Sequence, residues 1–236
     1  MKIDIVGSAK DIDPDQLEGA SVIVIDVLRA TSVMVTAFEN GVKEIIAVSS
    51  PDEAFEIKKN NKDVILGGER NADFIPGFDL DNSPFNYRSD IVSGKTLVMS
   101  TSNGTRAING SLNARKLVVG SFLNASAVAA AIVNDKKVVL VCSGSNNMFT
   151  LEDSLCAGYI VSALDHSNID ISPSDFAIAM MDLYNNNKFK LHEIASKGNH
   201  YQILVRKGYQ KDLDYCFEKD KLNVVPVYDE GRLILK

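Results

Sequence analysis

The 236 residues are 45% hydrophobic and 24% charged, the proportions of an ordinary folded protein, which excludes a disordered, collagen-like or fibrous chain. Lys and Arg number 25 against 31 Asp and Glu, a formal net charge of -6 with no basic tract, so neither a nucleic-acid backbone nor an anionic membrane surface is the expected partner. The longest unbroken apolar run, 127–133, is seven residues, far below the roughly 20 of a membrane-spanning helix, and Asp4 stands where a signal peptide needs apolar residues, so a cytoplasmic protein is expected.

The first strong element is the β-branched run 22–25, followed by a helical pattern over 32–40 that Gly41 can close in the left-handed conformation. A second run at 44–48 leads into Ser50-Pro51-Asp52-Glu53. These supply an N-cap, a proline at the first helical position and a capping-box glutamate for a helix ending near Asn60. Runs at 64–66, 96–99 and 116–119 come next, then a last one at 138–141, with a short helix over 105–110 and an alanine-rich helix over 124–134 between them. Most of these runs are continuously apolar rather than alternating, as strands covered on both faces are. Strands alternating with helices predict a three-layer α/β/α fold with a largely parallel or mixed sheet.

From Thr150 onward the pattern is helical, over 151–164, 174–185 and 190–197 and in shorter amphipathic pieces to Lys219. Residues 224–227 read as an added strand, which Pro226 places at an edge because it lacks an amide donor. The chain 1–236 reads as one unit, with a subdivision near 150 into sheet-rich and helix-rich halves as the alternative. Cys142, Cys156 and Cys216 have no CxxC spacing and read as buried reduced thiols. His166, His192 and His200 show no zinc-ligand spacing.

Open α/β sheets bind ligands beyond the carboxyl ends of their strands, and four predicted strand ends carry polar groups. Asp26 and Arg29 follow the first run, Glu69 and Arg70 the third, and Thr101-Ser102-Asn103-Gly104-Thr105 the fourth. Ser143-Gly144 and the pair Glu152-Asp153 follow the last. Each segment also has a plain structural reading. Asp26 can be a helix cap, Glu69-Arg70 a solvated loop, residues 101–105 a turn, and Glu152-Asp153 favourable charges at a helix start.

Phosphoryl-group handling explains the set as a whole. Arg29, Arg70 and a backbone cradle at 102–105 could surround phosphate oxygens, and Asp26, Glu69, Glu152 and Asp153 could hold Mg²⁺. The chain has neither a P-loop nor a dinucleotide fingerprint. Leu28 stands where aspartyl-nucleophile phosphatases carry a second Asp.

The segments VIDVLRAT at 24–31, GER at 68–70, GFDLDNSP at 77–84, SNGT at 102–105, CSG at 142–144, ED at 152–153 and AG at 157–158 resemble the 2-phosphosulfolactate phosphatase family, over essentially the full length. The resemblance implies Mg²⁺-dependent hydrolysis of 2-phospho-3-sulfolactate to 3-sulfolactate and phosphate, a step of coenzyme M biosynthesis, on an α/β/α fold of its own. With it, Asp26, Arg29, Glu69 and Arg70 become candidate catalytic residues, and Asp26, Glu69, Glu152 and Asp153 candidate metal ligands. Thr31, Asn82, Ser83, Thr101, Ser102, Asn103, Gly104, Thr105, Ser143 and Gly144 become candidate substrate contacts. The chain departs from the family pattern at Asp81, where a glycine is usual, and at Ser102, where a second threonine is usual. The expected partner is a small anionic phosphate ester, and assembly into a homo-oligomer stays open. The alternatives are a phosphatase of another such ester, a non-catalytic binding protein for a phosphorylated metabolite and, last, a thiol hydrolase using Cys142.

Overall fold

The computed structural model describes residues 1–167 and 169–236. Its ten strands are β1 (Lys2–Val6), β2 (Ser21–Ile25), β3 (Glu44–Ala47), β4 (Ile65–Gly68), β5 (Thr96–Ser100), β6 (Lys116–Gly120), β7 (Lys137–Cys142), β8 (Ser172–Pro173), β9 (Val227–Asp229) and β10 (Arg232–Ile234). They form one sheet in the order β4-β5-β3-β10-β9-β6-β2-β7-β1-β8. Around β2 the pairing is parallel, with Val22 opposite Leu117 on one side and Val139 on the other. A second parallel group comprises β4, β5 and β3. The antiparallel β9–β10 hairpin joins the two groups, with Val227 opposite Val118 and Leu233 opposite Ile45.

The strands are apolar on both faces because helices cover both. Ile23, Ile25, Val138, Leu140 and Cys142 pack into one cluster with helices Ala125–Ile132, Leu151–Asp165 and Asp175–Asn187. Val22, Val24, Val139 and Val141 face the other way, onto helices Ala30–Glu39 and Gly104–Gly110. A third cluster sets Leu66 and Val98 against helix Pro51–Asn60. Helix Leu151–Asp165 is buried along most of its length, the acids Glu152 and Asp153 included. Ser50 caps the amide of Glu53 at 3.2 Å, and the Glu53 carboxylate reaches back to the amide of Ser49 at 3.0 Å.

The strand expected over 224–227 lies elsewhere. It starts at Val227 and sits in the middle of the sheet rather than at an edge. Pro226 fits there because it contributes only its carbonyl, which accepts from Val119 at 3.0 Å, so its missing amide costs nothing. Strands β1, β8 and β10 are additions to the sequence reading. Cys142, Cys156 and Cys216 are free and buried, as expected. Among the described residues no helix is long and apolar enough to cross a membrane.

Candidate active site

Asp26 follows β2 directly, at the carboxyl end of the sheet, and is buried. Its Oδ1 accepts from the amide of Ala30, the first residue of the next helix, at 3.2 Å; the N-cap position expected for Asp26 is held by Arg29 instead. Thr31 closes the turn from inside. Its hydroxyl accepts from the Asp26 amide at 3.0 Å and donates to the Asp26 carbonyl at 2.8 Å. Asp26 Oδ2 lies against Gly104, where a Cβ would come within 2.9 Å of it and within 2.5 Å of Ala30. Only glycine lets the loop after β5 approach the carboxylate this closely. Burial pushes the Asp26 carboxyl up to about 6; His200 and the Ala30 amide oppose the rise, and the charges of Glu69 and Glu152 add to it.

The cradle after β5 does hold an anion, and that anion belongs to the protein. Glu69 Oε1 accepts from the Ser102 amide at 2.6 Å, and Oε2 accepts from the Ala72 amide at 2.7 Å and the Ser102 hydroxyl at 3.1 Å. Thr101 and Thr105 close on each other: the Thr101 hydroxyl accepts from the Thr105 amide at 3.0 Å, and the Thr105 hydroxyl from the Thr101 amide at 3.2 Å. Glu69 therefore fixes the loop while retaining a free lone-pair direction on Oε1.

Arg29 is buried, with its guanidinium carbon 3.9 Å from the centre of the Tyr209 ring and Nη1 paired to Asp212. Asp212 Oδ1 also accepts from the Ser83 hydroxyl at 2.8 Å. The ion pair, the ring and the serine fix the plane of the guanidinium, which carries five donors.

Asp26, Arg29 and Glu69 share one cavity of about 110 Å³ with Asn82, Ser102, Asn103 and His200. Asn82 is buried and its Oδ1 has no hydrogen-bond partner among the described residues. His200 comes from helix Asn199–Arg206, and its Nδ1 lies 2.8 Å from Glu152 Oε1. Burial lowers the imidazole, but the Glu152 hydrogen bond and the charges of Glu152, Asp26 and Asp153 outweigh it and raise the group to about 9.

Other candidates serve the frame. Asp153 accepts from the Val27 amide at 2.8 Å and the Gly144 amide at 3.0 Å, tying the loops after β2 and β7 together. Burial, with the charges of Asp26 and Glu152, pushes its carboxyl well above the usual carboxylate range. Gly144 has φ of +68°, and a Cβ there would meet the Met148 carbonyl at 2.3 Å. Ser143 is buried beside it, its hydroxyl without a partner among the described residues. Arg70 lies apart from Arg29. Its guanidinium bonds the carbonyls of Glu69 and Ser49 and the Ser100 hydroxyl, and it lines a separate cleft with Arg106 and Asn109.

The four acids read as one metal set lie near enough for their charges to act on one another, yet among the described residues no group of three His, Cys, Asp or Glu could hold an ion. Glu152 is engaged with His200 through Oε1, its Oε2 being buried without a partner among the described residues, and Asp153 with two amides. Mg²⁺ takes only one or two protein carboxylates and keeps its waters, and the hard oxygens of Glu69 and Asn82 in the cavity suit it. Orphaned Asn82 Oδ1 is the observation that favours such an ion.

From the sequence His200 reads only as a histidine without zinc-ligand spacing, and Asp212 and Tyr209 carry no role there. Asp212 had one usable signal, an acid on the buried face of its helix beside Leu213 and Cys216; buried acids are rare unless paired.

Residues 7–231 match the family model described as 2-phosphosulpholactate phosphatase. The chain is 44% identical over 230 residues to a probable 2-phosphosulfolactate phosphatase of Clostridium novyi (strain NT), a match covering 97% of each chain. It is 42% identical over 233 residues to the protein of the same name in Clostridium tetani (strain Massachusetts / E88), across 98% of this chain and 99% of that one.

Proposed function

The chain belongs to the 2-phosphosulpholactate phosphatase family, and from that premise we propose that it hydrolyses 2-phospho-3-sulfolactate to 3-sulfolactate and phosphate with Mg²⁺, in the cytoplasm, as in coenzyme M biosynthesis. The observation that carries this reading is the meeting of buried Asp26, clamped Arg29 and His200 in one cavity at the carboxyl end of the sheet.

Arg29 neutralises phosphate oxygens from a fixed orientation, so little ordering is left for the moment of reaction. Asp26, with a carboxyl near 6, takes the proton of the attacking water as that oxygen bonds to phosphorus. The ester P–O bond breaks, and His200 gives its Nε2 proton to the departing alkoxide. Solvent then returns one proton to His200 and removes the other from Asp26. Glu152 acts through His200 as a positioning residue, holding Nδ1 so that Nε2 is the free nitrogen. Glu69 and Asn82 would hold Mg²⁺, which supplies charge neutralisation on the phosphoryl oxygens.

The test is phosphate release from 2-phospho-3-sulfolactate, with Mg²⁺ and with chelator. Turnover that disappears with chelator supports the reading. Saturable binding without phosphate release would favour the binding-protein alternative, and turnover indifferent to exhaustive chelation would remove the metal.

A further inference from the structure

The Asp26 cavity continues into a second one of about 390 Å³, and the two share Ser145, Asn146, His200 and Ile203 as walls. Beyond that shared boundary the second cavity is lined by apolar Met148, Phe149 and Leu151, by Lys197, and by Glu152, whose Oε1 His200 holds. Met148 and Phe149 are 65% and 54% exposed and offer adjacent apolar surface on the cavity wall. Their loop is built rather than slack. Ser145 and Met148 exchange backbone hydrogen bonds of 2.9 and 3.0 Å across Asn146 and Asn147, both with positive φ. Lys197 is exposed and forms no ion pair among the described residues.

We propose that this second cavity is a subsite for the organic part of the phosphate ester, and that the enzyme accepts monoesters whose leaving group has an apolar or aromatic body ending in a sulfonate or carboxylate. The inference rests on the phosphatase reading above. With phosphate beside Asp26 and Arg29, the bridging ester oxygen lies next to His200, the residue both cavities share. The carbon skeleton then passes Ile203 to contact Phe149 and Met148, and a terminal anion meets Lys197. Contacts to such remote parts of a substrate add binding energy without touching the reacting bond.

The experiment compares kcat/KM for methyl phosphate, benzyl phosphate, 4-sulfobenzyl phosphate and 2-phospho-3-sulfolactate, all with Mg²⁺, in the wild type and in Phe149→Ala and Lys197→Glu. The wild type is expected to prefer benzyl to methyl phosphate at least tenfold, and 4-sulfobenzyl to benzyl phosphate again. Phe149→Ala should reduce the benzyl-to-methyl ratio at least threefold. Lys197→Glu should reduce the sulfobenzyl-to-benzyl ratio at least tenfold, mainly through KM. Wild-type turnover of 2-phospho-3-sulfolactate with no preference for the larger esters overturns the subsite alone, as do ratios unmoved in both variants. Failure to release phosphate from all four esters overturns the phosphatase reading and the subsite with it.

Discussion

Glu152 and His200, 48 residues apart in sequence, are joined by a 2.8 Å hydrogen bond through Nδ1. That contact and the charges of Glu152, Asp26 and Asp153 raise the imidazole to about 9, while burial raises the Asp26 carboxyl on the same cavity to about 6. An acid that stays protonated and a base that is deprotonated between those values predict a bell-shaped profile for kcat/KM. The rate should rise as pH passes about 6 and fall as it passes about 9. A profile flat from pH 5 to 10 would separate both groups from the reaction.

His200→Gln removes the proton donor and should slow release from an alkyl ester by roughly 10² to 10⁴, the range for general acid catalysis. An aryl ester with a nitro-substituted leaving group needs little protonation, so its rate should fall less than tenfold. Equal losses on both esters would mean that His200 shapes the cavity without donating a proton. In Glu152→Gln the descending limb of the pH profile should move to lower pH.

Asp26→Asn should abolish most turnover and make the protein more stable. The amide oxygen can still accept from Ala30, so that hydrogen bond survives. The folded-state value near 6 lies above the ordinary 3.8, so protonated Asp26 favours the fold. Its contribution is fully present below pH 3.8 and is lost as pH rises through 6. At pH 8 in chelator the variant should therefore gain stability on the order of 2 to 3 kcal/mol over wild type, and at pH 3.5 almost none. Denaturant melts at the two pH values measure this; an equal effect at both would contradict the assignment.

Arg29 and Arg70 should part company. Arg29→Lys cannot reproduce the planar fork fixed between Asp212 and Tyr209 and should lose about tenfold to a hundredfold in kcat/KM. Arg70→Lys should affect thermal stability more than turnover, since its donors hold loops in a separate cleft. Asp212→Asn leaves a buried guanidinium without its counter-charge and should destabilise by roughly 3 to 5 kcal/mol. Equal kinetic losses in both arginine variants would place Arg70 on the substrate.

Asn82→Leu should raise the Mg²⁺ concentration needed for half-maximal activity at least tenfold, with the far-ultraviolet circular dichroism unchanged. A metal requirement identical to that of wild type would remove Asn82 from the ion.

Much of this site was legible because it follows strands. Asp26 and Arg29 come directly after a β-branched run, and the polar residues after 64–66 and 96–99 could be placed from the α/β pattern alone. The cradle at 102–105 was legible as an anion site, but its occupant, Glu69, was visible only once β4 and β5 paired side by side. His200 reaches the cavity, and Tyr209 and Asp212 reach Arg29, through helix docking, which depends on shape across the whole core rather than on local spacing. Of the central hairpin only the first strand was legible, over 224–227 and as an edge, because both strands are three residues long. Its Glu230-Gly231 turn, with φ of +44° and +89°, is the two-residue loop that Gly at the second position suits, and this was the available signal.

The position of that hairpin also bears on how the protein is made. Residues 227–234 are translated after every other strand, yet β9 and β10 supply the contacts that unite β6 with β3. Until the hairpin emerges from the ribosome β6 and β3 keep unpaired edges, and such edges invite pairing with other chains. Joining them closes contacts between residues nearly 190 positions apart, such as Leu233 with Ile45. That is a long loop closure, and it makes the final step slow. Nascent chains stalled before residue 227 should accordingly need chaperone holding, and release should convert them to protease-resistant protein in one late phase.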